Sequence, residues 1–201
     1  MRAGTAGAVG VLLGLLLTGC AGTSPADREE GALAAARAYV DAIAHRDPDA
    51  ADAMTDPEAV EERFGSDRET DIRAALADAV DPIADPWVSL ATATQDEDDR
   101  EYDLDVSWTI RGVVGGGVLR IRLEDGGDPA EVDDWLVTGP LLEGGDVYVP
   151  ARRSRIGPTE LEPSDGLASV AGYPGGYLAE PVVPSDDADP RPVVLGAPEA
   201  G

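Results

Sequence analysis

Residues 101–111 read EYDLDVSWTIR, and apolar side chains alternate with polar ones along the whole stretch. One face carries the apolar residues, which are Tyr102, Leu104, Val106, Trp108 and Ile110. The other face is charged or polar. A period of two with one apolar face is typical of an antiparallel strand that covers a core on one side and meets water on the other. The stretch therefore predicts an antiparallel sheet with one apolar face.

Further strands are predicted on both sides of this stretch. Residues 87–95 form the preceding strand, and the acidic run 96–99 is interpreted as the loop of their hairpin. Gly115–Gly117 is interpreted as the next turn, and residues 118–124 form the strand after it. Two shorter strands follow, the first with Trp135 and Val137 on one face and the second with Val147 and Val149.

The chain before residue 85 has the spacing of helices. Ser24 followed by Pro25 predicts a helix start, and Leu33, Ala36, Val40 and Ile43 then recur at helical spacing. A second, short helix is predicted over residues 47–55, and Asp56-Pro57 repeats its capping device. The capping box at residues 66–69 predicts one more helix, with Ile72, Leu76 and Val80 on one side.

Helices followed by antiparallel strands predict an α+β fold rather than alternating βαβ units. We expect N-terminal helices packed on a curved antiparallel sheet over residues 26–150. A small β module is expected over residues 151–180, which include Tyr173-Pro174-Gly175-Gly176-Tyr177. Residues 181–201 are rich in Pro, Asp and Ala and are expected to form a loosely held tail.

The amino terminus predicts export. Arg2 precedes an apolar run at residues 9–17, which is too short for the roughly 20 residues of a transmembrane helix but fits a secretory signal. The four residues Leu17-Thr18-Gly19-Cys20 resemble the lipobox of bacterial lipoproteins, and Cys20 is the only cysteine of the chain. An ordinary signal peptide with a chance cysteine is the alternative.

The lipobox resemblance implies an address and a modification. Residues 1–19 would be removed, Cys20 would carry a diacylglycerol thioether, and residues 20–25 would be the tether. The expected localisation is the extracytoplasmic face of the cell membrane, with the membrane as partner through the anchor at Cys20.

The charge is strongly acidic. The chain has 40 Asp and Glu against 15 basic residues, all of them arginine. A GC-rich genome, such as that of an actinobacterium, explains this usage, and adaptation to high salt is the alternative. Nucleic acid is not an expected partner, because its binding requires basic side chains that neutralise phosphates.

Residues suited to catalysis are scarce. The chain has no lysine, which excludes a P-loop lysine, a Schiff base and a Ser-x-x-Lys nucleophile. The only histidine, His45, falls at a predicted helix end. An EF-hand count from Asp96 fails, since Glu101 stands where glycine is needed. We therefore predict no metal, no cofactor and no enzymatic activity.

The order of elements resembles the nuclear transport factor 2-like superfamily. The resemblance is carried by ALAAARAYVDAIAHRDPDAADAM at residues 32–54 and by DDWLVTGPLL at residues 133–142. The second stretch is also similar to the N-terminal, non-catalytic domain of some penicillin-binding proteins. The resemblance implies a cone-like fold with a pocket. Its expected lining is Tyr102, Trp108 and Trp135, and Asp41, Asp133 or Asp134 are expected near its mouth.

The leading hypothesis is a lipid-anchored envelope protein with a non-catalytic binding or accessory domain. Its partner would be an envelope protein or a small ligand that the sequence does not identify. Two alternatives stay open: a pocket enzyme of the isomerase or cyclase type that uses buried carboxylates, and an acidic structural surface protein.

Overall fold

The computed structural model describes residues 24–65, 69–95, 100–183 and 189–196. Within them the chain has an α+β fold, in which helices precede strands that are mostly antiparallel. The predicted lipobox with Cys20, the acidic run 96–99 and the predicted cap residues 66–68 lie outside the described residues.

Three α-helices begin at the predicted Pro-containing starts. They are α1 (Pro25–Ala44), α2 (Pro48–Ala53) and α3 (Pro57–Phe64). The Asp27 amide donates to Ser24 Oγ at 3.2 Å, and the Ser24 amide donates to Asp27 Oδ2 at 3.0 Å. These reciprocal bonds form a capping box that satisfies backbone amides at the helix start. The carboxylates of Asp47 and Asp56 cap the other two helices in a similar way.

The helix predicted after residue 69 is replaced by shorter elements. Strand β1 (Thr70–Asp71) leads into a 3₁₀ helix over Arg73–Asp78. Ile72 and Leu76 are fully buried, as predicted, but Val80 is 44% exposed. The prediction for Val80 was wrong because the tighter 3₁₀ helix stops at Asp78, beyond which the chain leaves helical geometry.

The predicted antiparallel sheet is present. Its four strands, in spatial order, are β2 (Ala84–Gln95), β3 (Glu101–Ile110), β4 (Val113–Leu123) and β5 (Trp135–Gly139). Every adjacent pair is antiparallel. The five apolar side chains of β3 are all buried, so the alternation in the sequence identified both the strand and its inner face.

The prediction of a turn at Gly115–Gly117 was wrong, because these glycines lie inside β4. The chain turns instead at Arg111 and Gly112, whose φ angles are 52° and 78°. Gly115 pairs with Trp108 across the strands, and a Cβ at Gly115 would lie 2.6 Å from Trp108 Nε1. The glycine therefore makes room for an indole ring, a role that glycine often has inside a strand.

Two further sheets contain the rest of the chain. One sheet has the order β1, β9 (Leu167–Gly172), β6 (Glu143–Tyr148), and β1 runs parallel to β9. Because β6 pairs with β9, hydrogen bonds cross the boundary predicted at residue 150. Val147 is half-buried in β6, whereas Val149 is buried just beyond its end. The other sheet has the order β11 (Arg191–Leu195), β10 (Gly175–Pro181), β7 (Ser154–Ile156), β8 (Thr159–Leu161).

The C-terminal stretch predicted as a tail contains strand β11. Val193 and Leu195 of this strand are buried in the same hydrophobic cluster as α1 and the sheets. Of residues 181–201, the structure describes 181–183 and 189–196. Residues 184–188 and 197–201 lie outside the described residues. Within the described part of the chain, no helix is long and apolar enough to cross a membrane.

Candidate functional site

The three aromatic residues predicted to line a pocket are buried in the core. Tyr102, Trp108 and Trp135 are each at most 2% exposed. They lie on the inner face of the sheet, as predicted, but none of them lines either of the two cavities described below. The structure therefore places these rings where they contribute packing.

Hydrogen bonds fix the orientation of both buried indoles. Trp108 Nε1 donates to the Gly196 carbonyl at 3.0 Å, and Trp135 Nε1 donates to the Pro129 carbonyl at 3.2 Å. The rings of Tyr102 and Trp135 meet edge to face at 5.8 Å between centroids. A satisfied N–H and an edge-to-face contact are both typical of aromatic side chains in a well-packed core.

The acidic residues expected near a pocket mouth have other surroundings. Asp41 and Asp133 are exposed, and Asp134 accepts a hydrogen bond from the Asp128 amide at 2.7 Å. His45 follows the last residue of α1, where its Nδ1 lies 2.7 Å from the Asp41 carbonyl. The structure does not bring these groups together around a shared reaction centre.

A polar cluster that the sequence did not predict joins α2 to the chain after β9. The Tyr173 hydroxyl donates to the Asp52 carboxylate, and Arg73 Nη1 lies 3.0 Å from Asp52 Oδ1. Arg73 also contacts both oxygens of Asp71. Burial alone would lower the pKa of the Arg73 guanidinium. The hydrogen bonds to Asp71 and the negative charges of Asp71 and Asp52 outweigh burial, so the pKa is raised. The guanidinium thus joins two carboxylates from separate elements.

Tyr39 packs beside this cluster. Its ring meets that of Tyr173 edge to face at 6.3 Å. Among the described residues its hydroxyl makes no hydrogen bond of good geometry, although the Leu141 backbone and Thr55 lie close enough to influence its pKa. Tyr39 shares the apolar face of α1 with Ala36 and Val40, so helical spacing could have identified it as a core residue.

The buried tyrosines lead to a prediction for alkaline pH. Burial raises the pKa of Tyr39, Tyr173 and Tyr177 above the ordinary value of 10.0. The stability that depends on their neutral forms is therefore present below about pH 10 and lost as the pH rises further. In an alkaline titration, we expect the tyrosinate absorbance of these residues to appear together with loss of circular dichroism. Complete tyrosine ionisation with unchanged circular dichroism would contradict their burial.

A surface groove of about 380 Å³ lies between the 3₁₀ helix Arg73–Asp78 and strands β7 and β10. Tyr177 and Ile156 contribute buried apolar surface. Arg155 Nη2 lies 3.3 Å from Glu180 Oε2 at the rim, whereas the Asp78 carboxylate makes no ion pair within the described residues. These residues come from three separate elements, so no local motif could have identified the groove.

A smaller cleft of about 170 Å³ lies between α1 and β2. Its lining consists of Arg37, Val40, Asp41, Pro86, Trp87 and Val88. Both cavities open at the surface and contain charged side chains, which is an arrangement suited to binding polar or charged groups.

Metal binding has no support in the side-chain arrangement of residues 24–65, 69–95, 100–183 and 189–196. These ranges contain no group of three or more His, Cys, Asp or Glu side chains that could hold a metal ion.

Comparison of the chain with protein-family models, with curated proteins and with solved structures finds no match.

Proposed function

We propose that this chain is a lipid-anchored protein of the cell envelope whose folded body binds a partner or a small ligand at its surface, without catalysing a reaction. The observation that carries the proposal is the single cysteine at position 20, directly after Leu17-Thr18-Gly19 and an apolar segment. A thiol is required there because its sulfur becomes the bond to lipid.

The anchor would hold the body close to the bilayer. Each buried methylene contributes about 0.8 kcal/mol, so several acyl chains give stable attachment where one chain gives only marginal binding. Helix α1 begins at Pro25, five residues after Cys20. Five extended residues span at most about 18 Å, so the start of α1 would remain within that distance of the lipid headgroups.

The core supports binding rather than catalysis. On the inner sheet face the rings of Tyr102 and Trp135 meet edge to face, and the indole of Trp108 donates to the Gly196 carbonyl, so the interior around these buried rings is occupied by protein. Of the carboxylates that the enzyme alternative would draw on, Asp41 and Asp133 are exposed, and the half-buried Asp134 accepts a hydrogen bond from the Asp128 amide. Concave charged surface is present instead in the groove beside Arg155, whose size is that of many ligand sites.

The accessory-domain version of the proposal rests on the resemblance to nuclear transport factor 2-like proteins and to the non-catalytic domain of penicillin-binding proteins. Its support is the order of elements, in which three capped helices precede an antiparallel sheet that ends in the strand of Trp135. In this version the body positions a partner protein at the outer surface of the membrane.

Replacement of Cys20 by serine tests the anchor. In the native host grown with labelled fatty acid, we expect the wild-type chain to incorporate label and to sediment with membranes. Cys20→Ser should incorporate none, because an alcohol cannot form the thioether. Thr23→Ser, a conservative change just after the lipobox, is the matched control and should behave as wild type. Equal labelling of the Cys20→Ser chain would refute the anchor.

A further inference from the structure

The cleft between α1 and β2 places opposite charges beside an exposed indole. Its floor is formed by Val40 and Val88, which are buried. Arg37 and Asp41 lie at its rim one helical turn apart, and Trp87 forms a wall. The cleft is smaller than the roughly 300–1,000 Å³ of drug-sized sites, so it suits a ligand of amino-acid size.

The two rim charges are free to meet a ligand. Eight described arginines pair with carboxylates, as expected in a chain where acidic residues outnumber arginines. Arg37 is not among them, and the Asp41 carboxylate has no ion pair within the described ranges either. An arginine that precedes its acidic partner by four residues has the less favourable orientation for a helical pair. Each charge is therefore available to a group from outside the chain.

Trp87 differs from the other two tryptophans. It is 68% exposed, whereas Trp108 and Trp135 are in the core. An exposed indole next to a carboxylate is well placed for a cationic ligand, because the ring face attracts an ammonium group and the carboxylate pairs with it. The neighbouring guanidinium would repel a simple cation, so the ligand must also carry a negative charge.

We propose that this cleft binds a small zwitterion, in which an alkylated ammonium and an anionic group are a few ångströms apart. Asp41 pairs with the ammonium, the indole of Trp87 covers it, and Arg37 pairs with the anionic group. This inference rests on the surface-binding role proposed above and adds a second site, whose lining shares no residue with the groove beside Arg155. The same chemistry occurs in a free solute and in the headgroup of a bilayer lipid, and the test separates these two sources.

The test measures tryptophan fluorescence during titration with phosphocholine, choline and inorganic phosphate. The full chain with Cys20→Ser is used, so the result is independent of lipid attachment. Because Trp87 is the exposed tryptophan, it reports on the cleft. We expect a saturable change with phosphocholine. Choline and phosphate should each bind about tenfold more weakly, because each lacks one of the two charge contacts.

Single substitutions assign the contacts. Arg37→Gln should weaken phosphocholine binding about tenfold and leave choline binding no weaker, since only the anionic half loses its partner. Asp41→Asn should weaken both ligands, because both carry the ammonium. The matched control is Arg152→Gln, which removes an exposed arginine that is not among the cleft-lining residues and should change neither. Circular dichroism checks that each variant is folded.

A final comparison identifies the source of the zwitterion. Phosphatidylcholine vesicles that produce the same Trp87 change as phosphocholine support a headgroup ligand, whereas a response to phosphocholine alone supports a free solute. If none of the probes produces a saturable change, the proposal is overturned. An Arg37→Gln variant that behaves like Arg152→Gln overturns it as well.

Discussion

Replacement of Trp108 by alanine is expected to lower the free energy of unfolding by about 3–5 kcal/mol, the usual cost of removing a large aromatic side chain from a core. The indole is buried, and its Nε1 donates to the Gly196 carbonyl at 3.0 Å. Gly115 and Gly117 face it from β4, so these two positions have no side chain that could fill the space that the ring leaves. The variant loses the buried area and also leaves the Gly196 carbonyl without this donor.

The control for this experiment is Trp87→Ala. It removes the same side chain from an exposed position, so the free energy of unfolding should change by less than about 1 kcal/mol. Denaturant titration of both variants measures the two differences. A Trp108→Ala chain that is as stable as Trp87→Ala would mean that β3 does not present Trp108 to the core.

Replacement of Gly31 by alanine should lower the free energy of unfolding by about 2 kcal/mol or more, although alanine has the higher helix propensity. Propensity alone predicts a gain of about 1 kcal/mol, because glycine is a poor helix former. However, a Cβ at Gly31 would lie 1.9 Å from the Pro129 carbonyl oxygen and 3.2 Å from Trp135 Nε1. The added methyl group would push α1 away from the segment that accepts the Trp135 hydrogen bond.

Gly145→Ala is the matched control for Gly31→Ala. A Cβ at Gly145 would meet no atom within 4 Å, so the change should be close to neutral. Thermal or denaturant unfolding of the two variants gives the comparison. If Gly31→Ala raises the stability, as propensity predicts, then the close approach between α1 and residue 129 is wrong.

Local signals in the sequence predicted much of the fold. Three helices begin at the predicted prolines because Ser24, Asp47 and Asp56 can satisfy the first amides through their own side chains. The inner face of β3 followed from alternation, since a strand places successive side chains on opposite faces. Both signals involve residues that are neighbours in the chain.

The errors came from contacts between distant parts of the chain. Gly115 has the composition of a turn, yet it pairs with Trp108 inside a strand, and glycine is required there because the indole and the Gly196 carbonyl occupy the space of a side chain. The strand Arg191–Leu195 looked like part of a polar tail, but β10 supplies its hydrogen-bond partner. In both cases a contact with another segment, the Gly196 carbonyl or strand β10, was absent from the local sequence pattern.

The candidate sites were harder to predict than the fold. Tyr173 and Asp52 meet across 121 positions of the sequence, and no short pattern marks that contact. The cleft joins Arg37 and Asp41 to Trp87 through the packing of α1 against β2. Only the lipid anchor at Cys20 could be proposed from a contiguous stretch, because a lipobox consists of adjacent residues.

The most direct test of the account is the intact mass of the native protein extracted from its own membranes. We expect a chain that starts at Cys20, lacks residues 1–19 and carries the additional mass of lipid on its first residue. A native chain that retains those nineteen residues, or one whose Cys20 carries no lipid, would contradict the proposed membrane anchor.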